Sequence, residues 1–345
     1  MENNMAHLDG DRTMQPLRPG SKDVLCIVLS FNGCDDTLEC LKSITSQRVP
    51  GFDLLVIDNA SEKGVVDRLR DAYPDVELVA LNENMGWAGG NNVGIKTGLK
   101  RGYTWICLLN NDTVFPKGEV SKWHDAIMHT PPCLLHPTIY YWDEPETLQL
   151  NAMGDLHGGK NEIKETWHGK AVMGRAYGAC LAVHRQVFDT VGVFDERLFL
   201  QLEETDFYQR AAGKDFKAVC DGSVKIFHKE SRAFGGTQAP IKSYYTIRNS
   251  LLLVEKKNFA AMSRVRGYKE LYWTISGIAA RATNSEDINM SGLLQWSMSS
   301  YPGAVALRLA ISDYLFRNFG KLAVKKALRI KAAETIVANR KPAQA

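Results

Sequence analysis

Continuous apolar, β-branched runs recur along the first third of the chain and alternate with amphipathic stretches. Residues 24–30 (VLCIVLS) read as a strand covered on both faces. Residues 34–47 follow with Leu38, Leu41 and Ile44 at helical spacing, behind Asp35 and Asp36 as N-terminal caps. Residues 54–57 (LLVI) repeat the strand pattern and end at Asp58-Asn59. Residues 65–73 read as a short helix stopped at Pro74, and 76–81 as a third strand. A glycine-rich segment, 84–94, leads into a helix to about Lys100. Residues 104–109 (TWICLL) then predict a fourth buried strand, ending at Asn110-Asn111-Asp112. From 131 to 170 the pattern is irregular. Beyond it, 176–184 suggest a strand, 206–212 a helix closed by Gly213, 216–220 and 224–228 two short strands, and everything past Ile241 helix.

Strands separated by helices predict parallel βαβ units and an α/β, doubly wound, mostly parallel sheet flanked by helices. Such sheets bind ligands beyond the carboxyl ends of their strands. Those ends are polar here: Ser30-Phe31-Asn32, Asp58-Asn59, Asn82 and Asn110-Asn111-Asp112. Four on one edge favour a binding edge over ordinary loop polarity.

Composition narrows the class. With 345 residues, 45% apolar and 23% charged, the chain can build one large or two modest globular domains. A net charge of +3 is too balanced for a dedicated nucleic-acid binder. Seven dispersed cysteines with no CxxC pair read as free thiols in a reducing compartment, hence a cytoplasmic protein. Residues 1–20 lack a signal-peptide core and read as a disordered leader. The longest uncharged run near the C-terminus, 288–307, holds Asn289, Gln295, four serines and Pro302, too polar to span a bilayer.

Three places could carry chemistry. The glycine segment lacks GxGxxG and any GxxxxGK[ST] loop, so it is either a helix start packed tightly on the sheet or an anion-binding helix N-terminus. Asp112, at the end of the fourth strand, is either turn chemistry or a ligand for a hard divalent cation that also holds a diphosphate. Glu203-Glu204-Thr205-Asp206 crowd acids at a helix start. They are caps or, in their apolar setting, a pair whose raised pKa suits a general base. His228 is a loop histidine or a metal ligand.

In order along the chain, these residues resemble the family-2 inverting glycosyltransferases of GT-A fold, and within them the rhamnosyltransferase-like enzymes of bacterial surface polysaccharide assembly. The resemblance spans roughly residues 24–258. Its segments are VLSFN at 28–32, VIDNAS at 56–61, NMGWAGGNNVG at 84–94, LLNNDT at 108–113, GAC at 178–180, VGVFDE at 191–196, FLQLEETDF at 199–207 and YYTIRN at 244–249. It implies that Asp58 contacts the nucleotide base with Ser30 and Asn32 nearby, and that Gly86, Trp87 and Asn91 wall the nucleotide pocket with Asn110 and Asn111. It further implies that Asp112 and His228 serve Mg2+ or Mn2+ on the diphosphate, that Glu204 is the base and that Glu203 orients it. Two departures stand out: Asn110 occupies the first acidic place of the metal motif, and the base is Glu where relatives usually have Asp. The implied partners are a nucleotide-diphosphate sugar such as dTDP-rhamnose or a UDP-sugar, and a glycan or lipid-linked glycan acceptor.

Three parts are expected: the leader, a GT-A nucleotide-sugar-binding and catalytic domain over 21–240, and a helical region over 241–345. Residues 303–331 hold seven cations against Asp313, a local +6 that leaves −3 for the rest. Arg317, Lys321, Lys325 and Arg329 recur every four residues, which predicts one basic helical face. That face is either a solvated outer surface or a peripheral contact with the inner face of the cell membrane; contact with a second copy is the other use of this region. Two alternatives to a transferase are a non-catalytic nucleotide-sugar- or glycan-binding subunit and a sugar nucleotidyltransferase. The latter would carry a GxGTR-like loop where this chain has Ser30-Phe31-Asn32-Gly33.

Overall fold

The computed structural model describes residues 22–150, 165–230, 239–256 and 264–338, so the expected leader lies outside the described residues. The first strands and helices follow the sequence pattern closely: β1 Lys22–Ser30, α1 Cys34–Thr45, β2 Phe52–Asp58, α2 Val65–Ala72, β3 Glu77–Ala80, α3 Gly86–Lys100 and β4 Tyr103–Asn110. Next come β5 Thr113–Val114, α4 Glu119–Met128, β6 Leu134–Tyr141, β7 Leu148–Leu150, β8 Thr166–Trp167 and β9 Lys170–Met173. The sheet-bearing half closes with β10 Cys180–His184, α5 Arg185–Val191, α6 Glu203–Ala212 and β11 Ala218–His228. Helices α7 Pro240–Glu255, α8 Arg264–Ala282, α9 Met290–Met298, α10 Pro302–Leu315 and α11 Val324–Ala338 follow.

The strands form one sheet in the order β3-β2-β1-β4-β10-β6-β11-β9-β8. β3, β2, β1 and β4 run parallel, as their buried β-branched runs require, and β10 enters antiparallel between β4 and β6. The irregular 131–170 stretch contains β6 at the sheet's centre. Its Pro137 and polar His136 and Thr138 break the apolar run that marks the other central strands. The two short strands expected at 216–228 are one strand. Asp221-Gly222-Ser223 bulges rather than turns, with Asp221 Oδ1 accepting from Ser223 N at 2.9 Å and Ser223 Oγ at 2.6 Å and the register against β6 shifting there.

The glycine segment is itself the start of α3, which lies against β1 and β4. A Cβ on Gly90 would come within 2.5 Å of Leu29, one on Gly94 within 2.7 Å of Ile27 and one on Gly98 within 2.4 Å of Ile106. Glycine every fourth residue leaves one bare face, and that face lets the helix backbone approach the sheet. A second apolar cluster, built from α7–α11 with Tyr244, Tyr245, Ile247, Trp296, Leu307 and Leu322, receives Phe199 and Leu200 from the sheet side. No helix of the described residues is long and apolar enough to cross a membrane.

The expected basic face does not form on one helix. α10 ends at Leu315, Arg317 (φ 59°) and Gly320 (φ 81°) turn the chain, and α11 begins at Val324. Periodicity alone could not register the break, because Gly320 is the one residue in 316–323 that announces a turn. Arg317 is spent on Glu255, at 2.6 and 3.0 Å.

Candidate active site

A cleft of about 390 Å3 opens at the carboxyl ends of β1, β2 and β4, where the strand order reverses. Of the residues singled out in the sequence, Gly86, Trp87, Asn110, Asn111, Asp112, Glu203, Glu204 and His228 line it.

Its nucleotide-side wall is built from the start of α3. Gly86 has φ +74°, and a Cβ there would lie 2.2 Å from the Phe199 carbonyl, so no other residue fits without moving that loop. Asn59 pins the wall, donating from Nδ2 to Gly86 O at 3.0 Å and accepting from Met85 N at 2.9 Å. Trp87 donates from Nε1 to Asn110 Oδ1 at 3.1 Å, and Asn111 Nδ2 donates to Thr37 Oγ1 at 2.9 Å. The two asparagines ahead of Asp112 therefore brace the strand end.

Ser30, Asn32, Asp58 and Asn91 stand behind the lining. Ser30 is fully buried and shares a hydrogen bond with Thr37 at 2.9 Å. Asn32 Oδ1 accepts from Glu62 N at 2.7 Å, tying the loop after β1 to the loop after β2. Asn91 Nδ2 donates to Trp87 O at 3.0 Å. Asp58 accepts from Ser61 N at 3.0 Å through Oδ2, while its buried Oδ1 has no hydrogen-bond partner among the described residues.

Asp112 follows β4 and His228 ends β11, and the sheet brings them together: His228 Nε2 lies 3.1 Å from Asp112 Oδ1 without hydrogen-bond alignment. His228 Nδ1 meets Gln149 Oε1 at 2.7 Å, so with Nδ1 donating, Nε2 turns its lone pair toward the carboxylate. Two neighbouring ligands of one small cation, bonded at roughly 2.1 Å and right angles, would stand about 3 Å apart, so the pair fits an Mg2+- or Mn2+-sized ion. No group of three or more His, Cys, Asp or Glu arranged to hold a metal occurs among the described residues, so the remaining ligands would come from phosphate and water.

The acidic run divides in two. Asp206 is buried in ion pairs with Arg210 at 2.9 Å and Lys256 at 2.5 Å, a structural role at the helix start. Glu203 and Glu204 face the cleft. Burial pushes the Glu203 carboxyl well above the ordinary range, with the neighbouring Glu204 adding to the effect and Arg248 opposing it. Burial raises Glu204 too, opposed by its own backbone hydrogen bond and by Arg175.

Several lining residues escaped the sequence reading: Tyr177, Gln201, Glu230 and Lys242. Lys242, in the first turn of α7, is only 7% exposed. Burial lowers its pKa, opposed by Glu230 and Asp112. Nothing local marks it, because it lies 130 residues from Asp112 in the chain and only the fold joins them.

Residues 25–192 match the model of the glycosyl transferase family 2. The low-salt glycan biosynthesis hexosyltransferase Agl10 of Haloferax volcanii is 22% identical, over 77% of this chain and 86% of its own length. The dTDP-rhamnosyl transferase RfbF of Shigella flexneri is also 22% identical, over 71% of this chain and 84% of its own. Among solved structures, the mannosyltransferase PcManGT of Pyrobaculum calidifontis, in complex with GDP-Man and Mn2+, superposes with TM-score 0.51 at 14% identity, covering 85% of this chain and 87% of that one. S. aureus TarS 1-349 gives TM-score 0.52 at 14% identity, covering 85% and 83%. A GT-A sheet, a cleft at its switch point and this family match converge: residues 25–192 are a glycosyltransferase family 2 domain, and the relatives of the chain include rhamnosyltransferases.

Proposed function

We propose that the chain transfers a hexose from a dTDP- or UDP-linked donor to a hydroxyl of a glycan or lipid-linked glycan, with inversion at the anomeric carbon. The observation that carries this is one cleft lined by a carboxylate pair, buried Glu203 and half-buried Glu204, and by Asp112 and His228, 3.1 Å apart. The names of two relatives, a dTDP-rhamnosyl transferase and an N-acetylglucosaminyl-diphospho-decaprenol L-rhamnosyltransferase of Mycobacterium tuberculosis, support that donor and acceptor class.

Glu204 takes the proton of the acceptor hydroxyl as its oxygen bonds to the anomeric carbon. The bond from that carbon to the diphosphate oxygen breaks, and the nucleoside diphosphate leaves with the electron pair. Burial raises the Glu204 pKa, which suits it to this task, and Glu203 beside it orients it. Asp112 and His228 would hold Mg2+ or Mn2+, which supplies charge stabilisation to the leaving diphosphate. Lys242 offers a fixed cation to the same group. Asp58, with one oxygen unpartnered, binds the edge of the nucleoside base. Residues 21–240 form the catalytic unit and 241–345 its helical companion.

Glu204→Gln keeps the shape and removes the base. Turnover should fall roughly 100- to 10,000-fold while nucleoside-diphosphate binding holds. Wild-type turnover in that variant overturns the assignment.

A further inference from the structure

The five carbonyls that lead into the carboxylate pair are each held from another part of the fold. Arg197 O accepts from Gly320 N at 2.9 Å and from Arg248 Nη2 at 3.1 Å. Leu198 O accepts from Arg248 Nη2 at 3.0 Å and from Asn249 Nδ2 at 2.9 Å. Phe199 O accepts from Trp87 N at 2.7 Å, at the nucleotide wall. Leu200 O and Gln201 O accept from Asn249 Nδ2 at 2.8 and 2.7 Å.

The course they fix is one that side chains resist. Phe199 (φ 62°), Gln201 (φ 71°) and Leu202 (φ 71°) are all left-handed, directly before Glu203. Such a run persists only where its surroundings over-determine it. Arg248 and Asn249 on α7 are both fully buried. Arg248 donates from Nε and Nη2 to Asn249 Oδ1 at 3.0 and 2.8 Å, which aims the amide nitrogen at the loop. The third arm of the guanidinium reaches Gly320 O at 2.7 Å, and its plane lies over the Tyr245 ring, 5.0 Å from the centroid.

We propose that Arg248 and Asn249 are positioning residues for transfer: they hold the backbone of 197–202 in the left-handed course that presents Glu203 and Glu204 to the cleft. Helix α7 is thereby a working part of the active site. The proposal rests on Glu204 being the base.

The test compares Asn249→Ala and Arg248→Lys with the full-length wild type. It reads kcat, the pH profile of kcat, donor KM, and Kd for uridine and thymidine diphosphate with Mn2+. Asn249→Ala should lose about 100-fold in kcat, the effect expected when a reacting group is misplaced by about an ångström. Its nucleotide Kd should stay within about twofold, and the acid limb of its pH profile should move. Arg248→Lys keeps the charge but not the fork, so it should not rescue. Wild-type kcat in either variant, or kcat and nucleotide affinity lost in parallel, overturns the proposal. Should the variants not fold, amide exchange on the wild type decides: 198–204 should be as protected as α7, and open-loop exchange there overturns it. Turnover retained in Glu204→Gln fails the base assignment; wild-type kcat in Asn249→Ala beside an inactive Glu204→Gln fails the positioning role alone.

Discussion

Glu203 is nearly fully buried, its Oε1 has no hydrogen-bond partner, and the carboxyl of Glu204 follows in the chain. Burial disfavours the charged form of each carboxyl and raises both pKa values, with Glu204 adding to the rise of Glu203. The folded chain thus binds protons that the unfolded chain has released. This contribution to stability is fully present below the ordinary carboxyl value of 4.5 and is lost as pH rises through the raised folded value. Glu203→Gln should therefore raise Tm more at pH 8 than at pH 4.5; an equal shift at both would show that Glu203 does not titrate there. Turnover needs the ionised base, so kcat should climb with pH through a value above that of a free glutamate. Gly86→Ala asks for a Cβ 2.2 Å from Phe199 O at φ +74° and should cost about 1–3 kcal/mol, read from a urea midpoint.

Elements explain why distant residues act together. β11 is parallel to β6, and its last residues pair with β5, so His228 faces Thr113 one position after Asp112. His228→Ala should weaken Mn2+-dependent binding of nucleoside diphosphate and leave metal-free binding unchanged, measured by calorimetry; equal loss in both arms would remove the cation role. The α10–α11 corner has its own lock. Asp313, 2% exposed, accepts from Tyr244 Oη at 2.7 Å and Asn318 Nδ2 at 3.2 Å and pairs with Lys326. Burial pushes its pKa up, but these partners more than offset that, so it is lowered overall. Its contribution is present above the unfolded carboxyl value and is lost as pH falls through the folded one. Asp313→Ala strands a buried hydroxyl and a cation and should cost about 3–5 kcal/mol. Arg317→Ala removes an exposed, solvent-screened pair with Glu255 and should leave Tm nearly unchanged.

At the scale of the molecule, the C-terminal helices present Met290, Leu294 and Met298 along one exposed line of α9, with Leu315 and Phe316 exposed at the end of α10. Lys321, Lys325 and Arg329 are exposed nearby in sequence. Contact of these cations with an anionic lipid headgroup layer is a proposal that the broken basic helix modifies without removing. Replacing Lys321, Lys325 and Arg329 by Glu should reduce flotation with anionic liposomes and leave recovery with neutral ones unchanged. Undiminished flotation would end the idea.

The parallel half of the sheet, its polar carboxyl edge and four residues that line the cleft, Asp112, Glu203, Glu204 and His228, were legible in the sequence. Buried parallel strands leave an unbroken apolar run, and polar residues that close such runs are conspicuous. Helical periodicity likewise located α1, α2 and α6. The sequence could not show which polar residues spend their hydrogen bonds inward, as Ser30 and Asn91 do, or that Asn32 ties two loops together, or that Lys242 joins the cleft. It hid β6, whose proline and histidine interrupt the apolar signal. It also hid the turn at 316–320, where φ above zero falls on an arginine. Local pattern reports what one element must bury. Which carbonyls Asn249 holds, and hence how Glu204 is aimed, depends on contacts between residues about fifty positions apart, and only the packed chain decides those.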